Sequence, residues 1–236
     1  MDTIDLFENS VNDGEEFEEE LTAAEVLQKM EDSWLNEKHS PELLESKMEI
    51  VECMMEQVNT MEENLSRLKK GDMRIPVHRF VKHVFQSKTS QSVFIRMELQ
   101  RIKFMVNSYL RLRLEKIQSN IFHYTKTDDD NPTRLTQEEA DFALNYKENL
   151  TEHFNSLALR HIPGVWESTK VAPATPAPNL STAVFVSVRE DVPGVDIKDD
   201  AGKARDDTIQ LMKGSQHMVK YDAISHLVDE GSVQLL

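Results

Sequence analysis

From Phe94 to Phe122 the apolar residues of this chain keep a helical period, and one arginine stands in the line they make. At about 100° per residue, Ile95, Leu99, Ile102, Val106, Leu110 and Ile117 fall in one narrow arc, with Arg113 in its middle. Arg111 points roughly 160° away, among Gln100, Asn107 and Glu115. Phe94, Met105 and Leu112 widen the arc on one side and Leu114 on the other, so more than half of the circumference is apolar. Such a helix is central in a bundle, or faces its own bundle and a partner as well. The basic residues of NSYLRLRLEKI therefore do not form one nucleic-acid face, because residues two apart on a helix project to nearly opposite sides. Arg113 is expected to be buried or interfacial, held by a carboxylate or by helix-end carbonyls, since an unpaired guanidinium there is costly.

Other helices are legible around it. In LTAAEVLQKMEDSWLNEK, Thr22 and Glu25 make a capping box and Leu27, Met30 and Trp34 recur at helical spacing, which predicts a helix from about Thr22 to Asn36. Pro41 is expected to open a second helical region reaching Lys70, with Ile50, Met54, Val58, Met61, Leu65 and Leu68 as its stripe and Gly71 as its stop. Residues 71–92 keep no single period and read as a loop with one helical turn. After the polar stretch TDDDNPT, Thr136 and Glu139 repeat the capping signal before a stripe of Ala143, Tyr146, Leu150, Phe154 and Leu157.

Four of the eight prolines then fall between Pro163 and Pro178, and beyond them the period changes to two. TAVFVSVRE, DTIQLM and HMVKY read as strands, Lys213-Gly214-Ser215 as a turn, Asp222 as the N-cap of a short helix ended by Gly231, and SVQLL as a last strand. The expected fold class is mainly α, a bundle of about four helices followed by a small α+β, β-rich domain. The boundaries read as an acidic disordered tail over 1–20, a helical domain over 21–162, a linker over 163–181 and a small domain over 182–236. Residues 2–20 carry nine Asp or Glu and no Lys or Arg, and Ile4, Leu6 and Phe7 among them are a candidate docking peptide, with plain disorder the preferred account.

Chemistry is harder to find. With 42 acidic against 27 basic side chains the net charge is −15, so the average field repels nucleic acid and anionic membrane, and a basic site has to be local. The one cysteine, Cys53, excludes an intrachain disulfide and suits a reducing compartment, and no signal peptide or spanning segment is read. No GxxxxGK[ST], GxGxxG, HExxH or GxSxG occurs, and the eight histidines show no ligand spacing. Asp128 to Asn131 is not a calcium loop, because Pro132 and Thr133 stand where a ligand and a glycine are needed. Cys53, at the edge of an apolar stripe, reads as a packed thiol rather than a nucleophile. Neither an enzyme nor a cofactor is expected.

Three stretches resemble a known family: LNEKHSPELLESKMEIVECMMEQVNTMEENL (35–65), RMELQRIKFMVNSYLRLRLEKI (96–117) and KGSQHMVKYDAISHLVDEGSVQLL (213–236). They are similar to the Sld-five branch of the eukaryotic GINS family, as is the order of helical domain before small β domain. The resemblance implies a nuclear, non-catalytic scaffold in a heterotetramer with the Psf-one, Psf-two and Psf-three subunits. It also implies that the tetramer joins the MCM ring and the Cdc-forty-five protein in the replicative DNA helicase, for initiation and elongation of replication. Some relatives dock an N-terminal acidic peptide on the Ctf-four/AND-one adaptor. The candidate core or subunit-interface positions are Leu99, Ile102, Val106, Tyr109, Arg113 and Ile117 of the long helix, with Leu235 and Leu236 of the last strand.

The alternative is a DNA-contacting module over residues 67–88, where seven Lys or Arg face only Asp72; Lys69, Lys70, Arg74 and Lys82 are its candidate phosphate contacts. A solvated helix end, its dipole complemented by Lys69 and Lys70, is the preferred account of the same residues. On the DNA reading, binding to duplex or forked DNA falls steeply with salt, and changing those four residues to Ala flattens the slope. No binding at low salt removes it.

Overall fold

The structure of the chain, a computed structural model, describes residues 22–69, 88–125, 134–157, 161, 176–198 and 204–236. The tail with Ile4, Leu6 and Phe7, most of the loop 71–92, the TDDDNPT stretch and most of the proline-rich stretch lie outside the described residues. Helix α1 runs Ala23–His39 and opens on the expected box: Thr22 N–H donates to Glu25 at 2.8 Å, and Glu25 N–H to the Thr22 hydroxyl at 3.4 Å. It continues a turn past Asn36 and stops at Ser40, which Pro41 forces into extended backbone (φ −71°, ψ 136°). Pro41 thus ends α1 rather than opening α2. Helix α2 begins only at Met48 and runs Met48–Lys69, so the stretch between the two helices is an irregular strap.

Helix α3 spans Lys88–Ser119, and α4 is a single turn, Ile121–Tyr124, offset by Asn120 (φ −123°, ψ 37°). Helix α5 spans Gln137–Leu157 behind the Thr136–Glu139 box, whose bonds measure 3.1 and 3.2 Å. The upper bundle core joins Val26 and Met30 of α1, Val51 and Met54 of α2, and Val106 and Tyr109 of α3. Farther along α2, Val58 and Leu65 meet Leu99; at the other end Ile117, Ile121 and Ala143 close on Leu43 of the strap. Met61, read as part of the α2 stripe, is instead 49% exposed, and Val51 at 4% takes the buried place on the other side.

The C-terminal part holds β1 (Ala183–Val188), β2 (Val192–Lys198), β3 (Ala204–Leu211), β4 (Gln216–Lys220), α6 (Tyr221–Asp229) and β5 (Val233–Leu235). One antiparallel sheet has the order β4-β1-β5, in register Val184↔Val219 and Val186↔Leu235. Alternation buries Val184, Val186 and Val188 against Tyr221, Ile224, Leu227 and Val228 of α6. A separate β2–β3 hairpin adds a strand, VPGVDIK, to those expected from the sequence, and it contains Pro193 and Gly194. They fall at a register shift between Val192 and Val195, with Gly194 in the left-handed region (φ 73°), where a bulge uses what a regular strand excludes. Asp222 is not the cap of α6: Lys220 holds that position, and Asp222 lies in the first turn, where its charge suits the dipole.

Val233 and Leu235, at 1% and 0% exposure, fill the core under β1, so removing Ser232–Leu236 opens one side of the sheet. Loss of two such side chains is expected to destabilise the C-terminal part by about 3 to 6 kcal/mol, read as a lower thermal midpoint and faster amide exchange in β1. An unchanged midpoint would contradict this packing.

Candidate functional site at a buried arginine

The strap Ser40–Lys47 has no helix or strand to satisfy its backbone, so its polar groups must find side chains. The Leu43 N–H donates to the Tyr124 hydroxyl at 2.9 Å and the Lys47 N–H to the Tyr109 hydroxyl at 3.2 Å. The carbonyls of Glu42, Leu43 and Leu44 accept from Lys116 (2.8 Å), Arg134 (2.9 Å) and Arg113 (2.9 Å). Five residues from α3 onward thereby replace secondary structure for this stretch.

Arg113 is the centre of the arrangement and has 0% exposure. Its Nε and Nη2 grip the two carboxylate oxygens of Glu139 at 2.7 and 2.8 Å, a bidentate fork. The remaining donors reach the Leu44 and Arg134 carbonyls, both at 2.9 Å, and Glu37 at 3.4 Å. All five N–H donors of the guanidinium are therefore used. Tyr109 adds its ring 5.8 Å away, within cation–π range. Lys116 donates to Glu37 Oε1 at 2.7 Å and to the Glu37 carbonyl, so two cations face two buried carboxylates.

Electrostatics follow from that pairing. Burial opposes the charged form of Arg113, but the Glu139 bonds and nearby carboxylates outweigh it and hold its pKa above the ordinary value. Burial likewise opposes ionised Glu139, yet Arg113 and the Thr136 bonds leave its pKa lowered. Lys116 is pulled down, with desolvation stronger than the Glu37 attraction.

Most candidate positions cluster here or directly above. Leu99 (5%), Val106 (3%), Tyr109 (1%), Arg113 and Ile117 (0%) are buried, and Ile102 is half-buried between two core clusters. Leu235 is buried in the sheet, whereas Leu236 is 41% exposed: β5 ends one residue earlier, and the Leu236 N–H donates to the Phe185 carbonyl at 2.9 Å. Leu236 is therefore not a core residue. Lys69 ends α2, and Lys70, Arg74 and Lys82 lie outside the described residues. Arg111 is exposed, as its phase demands. The sequence reading missed Glu37, Glu42, Lys116 and Arg134. Glu37 carried a usable signal, since it continues the buried line of Val26 and Met30 at spacings of four and seven, an acid on a core stripe to match the arginine on another.

The side-chain donors and acceptors named above are each engaged with a partner, whereas Ser46 Oγ of the strap is buried without a hydrogen-bond partner. Ser215 Oγ lies 2.8 Å from His217 Nε2 and 2.6 Å from the Met212 carbonyl oxygen, and the direction of the Ser215–His217 bond depends on the histidine tautomer. Among the described residues no cluster of three or more His, Cys, Asp or Glu could hold a metal, and no helix is long and apolar enough to cross a membrane.

Comparison with known proteins gives this architecture a lineage. The family described as GINS complex protein helical bundle domain matches residues 62–158, and the family described as DNA replication complex GINS protein SLD5 C-terminus matches residues 178–236. The DNA replication complex GINS protein SLD5 of Mus musculus is 39% identical over 229 residues, covering 95% of both chains. That of Homo sapiens is 38% identical over 229 residues, again with 95% of each covered, and that of Arabidopsis thaliana 24% over 235 residues, with 97% of this chain and 99% of the relative. The fold is thus that of a GINS-complex protein, a helical bundle followed by a small strand-bearing domain. This chain belongs to the SLD5 family of DNA replication complex GINS proteins.

Two outcomes follow for the centre. Arg113→Ala leaves Glu139 without its cation and Glu37 with Lys116 alone, and is expected to lower stability by about 3 to 5 kcal/mol, while Arg111→Ala stays within about 0.5 kcal/mol, both read by denaturant unfolding. Equal effects would contradict the assignment. Glu139 has a folded pKa below its unfolded one, so its contribution is full above the unfolded value of about 4.3 and is lost as pH falls from there through the folded value. Stability should drop in acid below that point, and Glu139→Gln, already weaker at neutral pH, should show a shallower drop.

Proposed function

We propose that the chain is a non-catalytic scaffold subunit of the heterotetrameric GINS complex, binding Psf-one, Psf-two and Psf-three. Through that complex it joins the MCM ring and the Cdc-forty-five protein in the replicative DNA helicase of the nucleus. The observation that carries this reading is apolar surface left open on helices whose other sides are in the core. On α3, Phe94, Met97 and Phe104 follow at helical spacing and stand 42%, 66% and 63% exposed, away from the buried line of Leu99, Val106 and Ile117. On α5, Phe154 and Leu157 prolong the stripe of Ala143, Tyr146 and Leu150 past the bundle, at 52% and 65% exposed. Large side chains presented in rows on two helices fit burial against other subunits.

Family membership supplies the kind of partner, and Psf-one is assigned chiefly to the α3 face. In this reading residues 21–162 assemble with partner helices, 163–181 tether, and 182–236 dock on a neighbour. For Ile4, Leu6 and Phe7, docking on the Ctf-four/AND-one adaptor is the second account, after plain disorder of the acidic tail. The polar centre supports a scaffold role because its charges hold the strap in a fixed position between the bundle and the C-terminal part.

Co-expression with the other three subunits, followed by sizing at high salt, should give one assembly containing all four. Met97→Glu and Phe104→Glu should abolish that assembly while leaving the helical signal of the chain intact, because both side chains are exposed. A chain that is monodisperse, fully folded and indifferent to the other three would overturn the reading.

A further inference from the structure

We propose that the C-terminal sheet with α6 is held to the helical bundle by a polar latch centred on Asp32, and that salt releases it as a folded unit. Among the described residues, the seam carries a set of hydrogen bonds and ion pairs, with Leu44 as the residue that crosses it into the C-terminal core cluster. Asp32 Oδ1 of α1 accepts from Arg189 Nη2 and from Gln234 Nε2, the latter at 3.1 Å, while Arg189 Nη2 also reaches Gln234 Oε1 at 2.8 Å. One turn later Asn36 Oδ1 accepts the Leu235 N–H at 2.9 Å, so two side chains of α1 cap the edge of β5. On the other side of the strap the Tyr221 hydroxyl donates to Glu42 at 2.8 Å, and Arg134 bridges Glu42 at 2.8 Å and Asp229 at 4.0 Å.

Against these links stands little apolar contact. Leu44 is the only residue from outside the C-terminal part in its core cluster, among the described residues. The other members, from Val184 to Leu235, pack on one another, so the sheet and α6 keep their own core when the seam opens. The ion pairs are partly wet: the side chains of Arg189 and Asp32 are 38% and 21% exposed, those of Arg134 and Asp229 28% and 48%. Pairs in such positions weaken with ionic strength, whereas the apolar cores on either side do not. The sequence between the two parts is the proline-rich PGVWESTKVAPATPAP. The latch thus gives the chain a docked and a released form, and release uncovers the edge of β5 together with Asp32 and Asn36.

The test is amide exchange on the full chain, in whichever assembly it purifies, comparing the Leu235 amide with those of the β1–β4 pairing. Raising salt from about 0.1 M to about 1 M, where the screening length falls from about 10 Å to about 3 Å, should speed exchange of Leu235 while β1 and β4 stay protected. Asp32→Arg should do the same at low salt, by roughly tenfold or more, the factor expected for loss of one charge-assisted hydrogen bond. Asp32→Arg combined with Arg189→Asp should restore protection, which a merely destabilised fold would not do. The latch is overturned if Leu235 is unaffected by salt, if β1 and β4 lose protection together with it, or if the charge swap fails to rescue.

Discussion

A guanidinium with no exposed surface can exist only where each of its donors meets an acceptor, and Arg113 dictates the lower half of the bundle through that requirement. It draws its acceptors from four separate places: Glu37 on α1, the Leu44 carbonyl on the strap, the Arg134 carbonyl before α5, and Glu139 on α5. Each of those groups is buried or partly buried and in turn needs a donor. Remove the arginine and the strap loses a carbonyl partner, α5 loses the fork that holds its first turn, and α1 keeps a carboxylate at 1% exposure with only Lys116 beside it. Burying ions is not in itself stabilising, since desolvation consumes most of the attraction. What it secures is position, because neither the strap nor the start of α5 can shift without stranding a charge.

That fixed position matters for assembly. With the strap held, α3 presents one side to α1, α2 and α5 and leaves Phe94, Met97 and Phe104 facing outward along its N-terminal half. Trp34, whose indole donates to Ser108 at 3.0 Å, meets Phe104 edge-on at 6.2 Å and so braces part of this surface from α1. The same strap carries Glu42 and Leu44, which also touch the C-terminal part. One short irregular segment thus registers the bundle on one side and the sheet on the other.

Much of this was legible in the sequence because it rests on period. The phase of α3 separated Arg113 from Arg111, both capping boxes marked their helices, and the change to a period of two marked β1, β3, β4 and β5. The strap was misread because Pro41 was credited as a helix start, when its effect on Ser40 is to stop α1. Nothing periodic marks a segment whose backbone is satisfied by distant side chains such as Tyr124 and Arg134. The β2 strand shows no regular alternation through Pro193 and Gly194, which an edge strand with a register shift accommodates. Glu139 was visible as a capping residue, but its second role, gripping Arg113 across 26 positions of sequence, depends on tertiary structure.

The most direct measurement of the central claim is a double-mutant cycle between Arg113 and Glu139, using Arg113→Met and Glu139→Gln and their combination, with unfolding free energy as the readout. A bidentate pair with Arg113 at 0% and Glu139 at 10% side-chain exposure should give a coupling energy of about 2 to 3 kcal/mol, the double variant losing less than the sum of the singles. Losses that add to within about 0.5 kcal/mol would contradict the claim that this ion pair holds the bundle, the strap and the start of α5 in place.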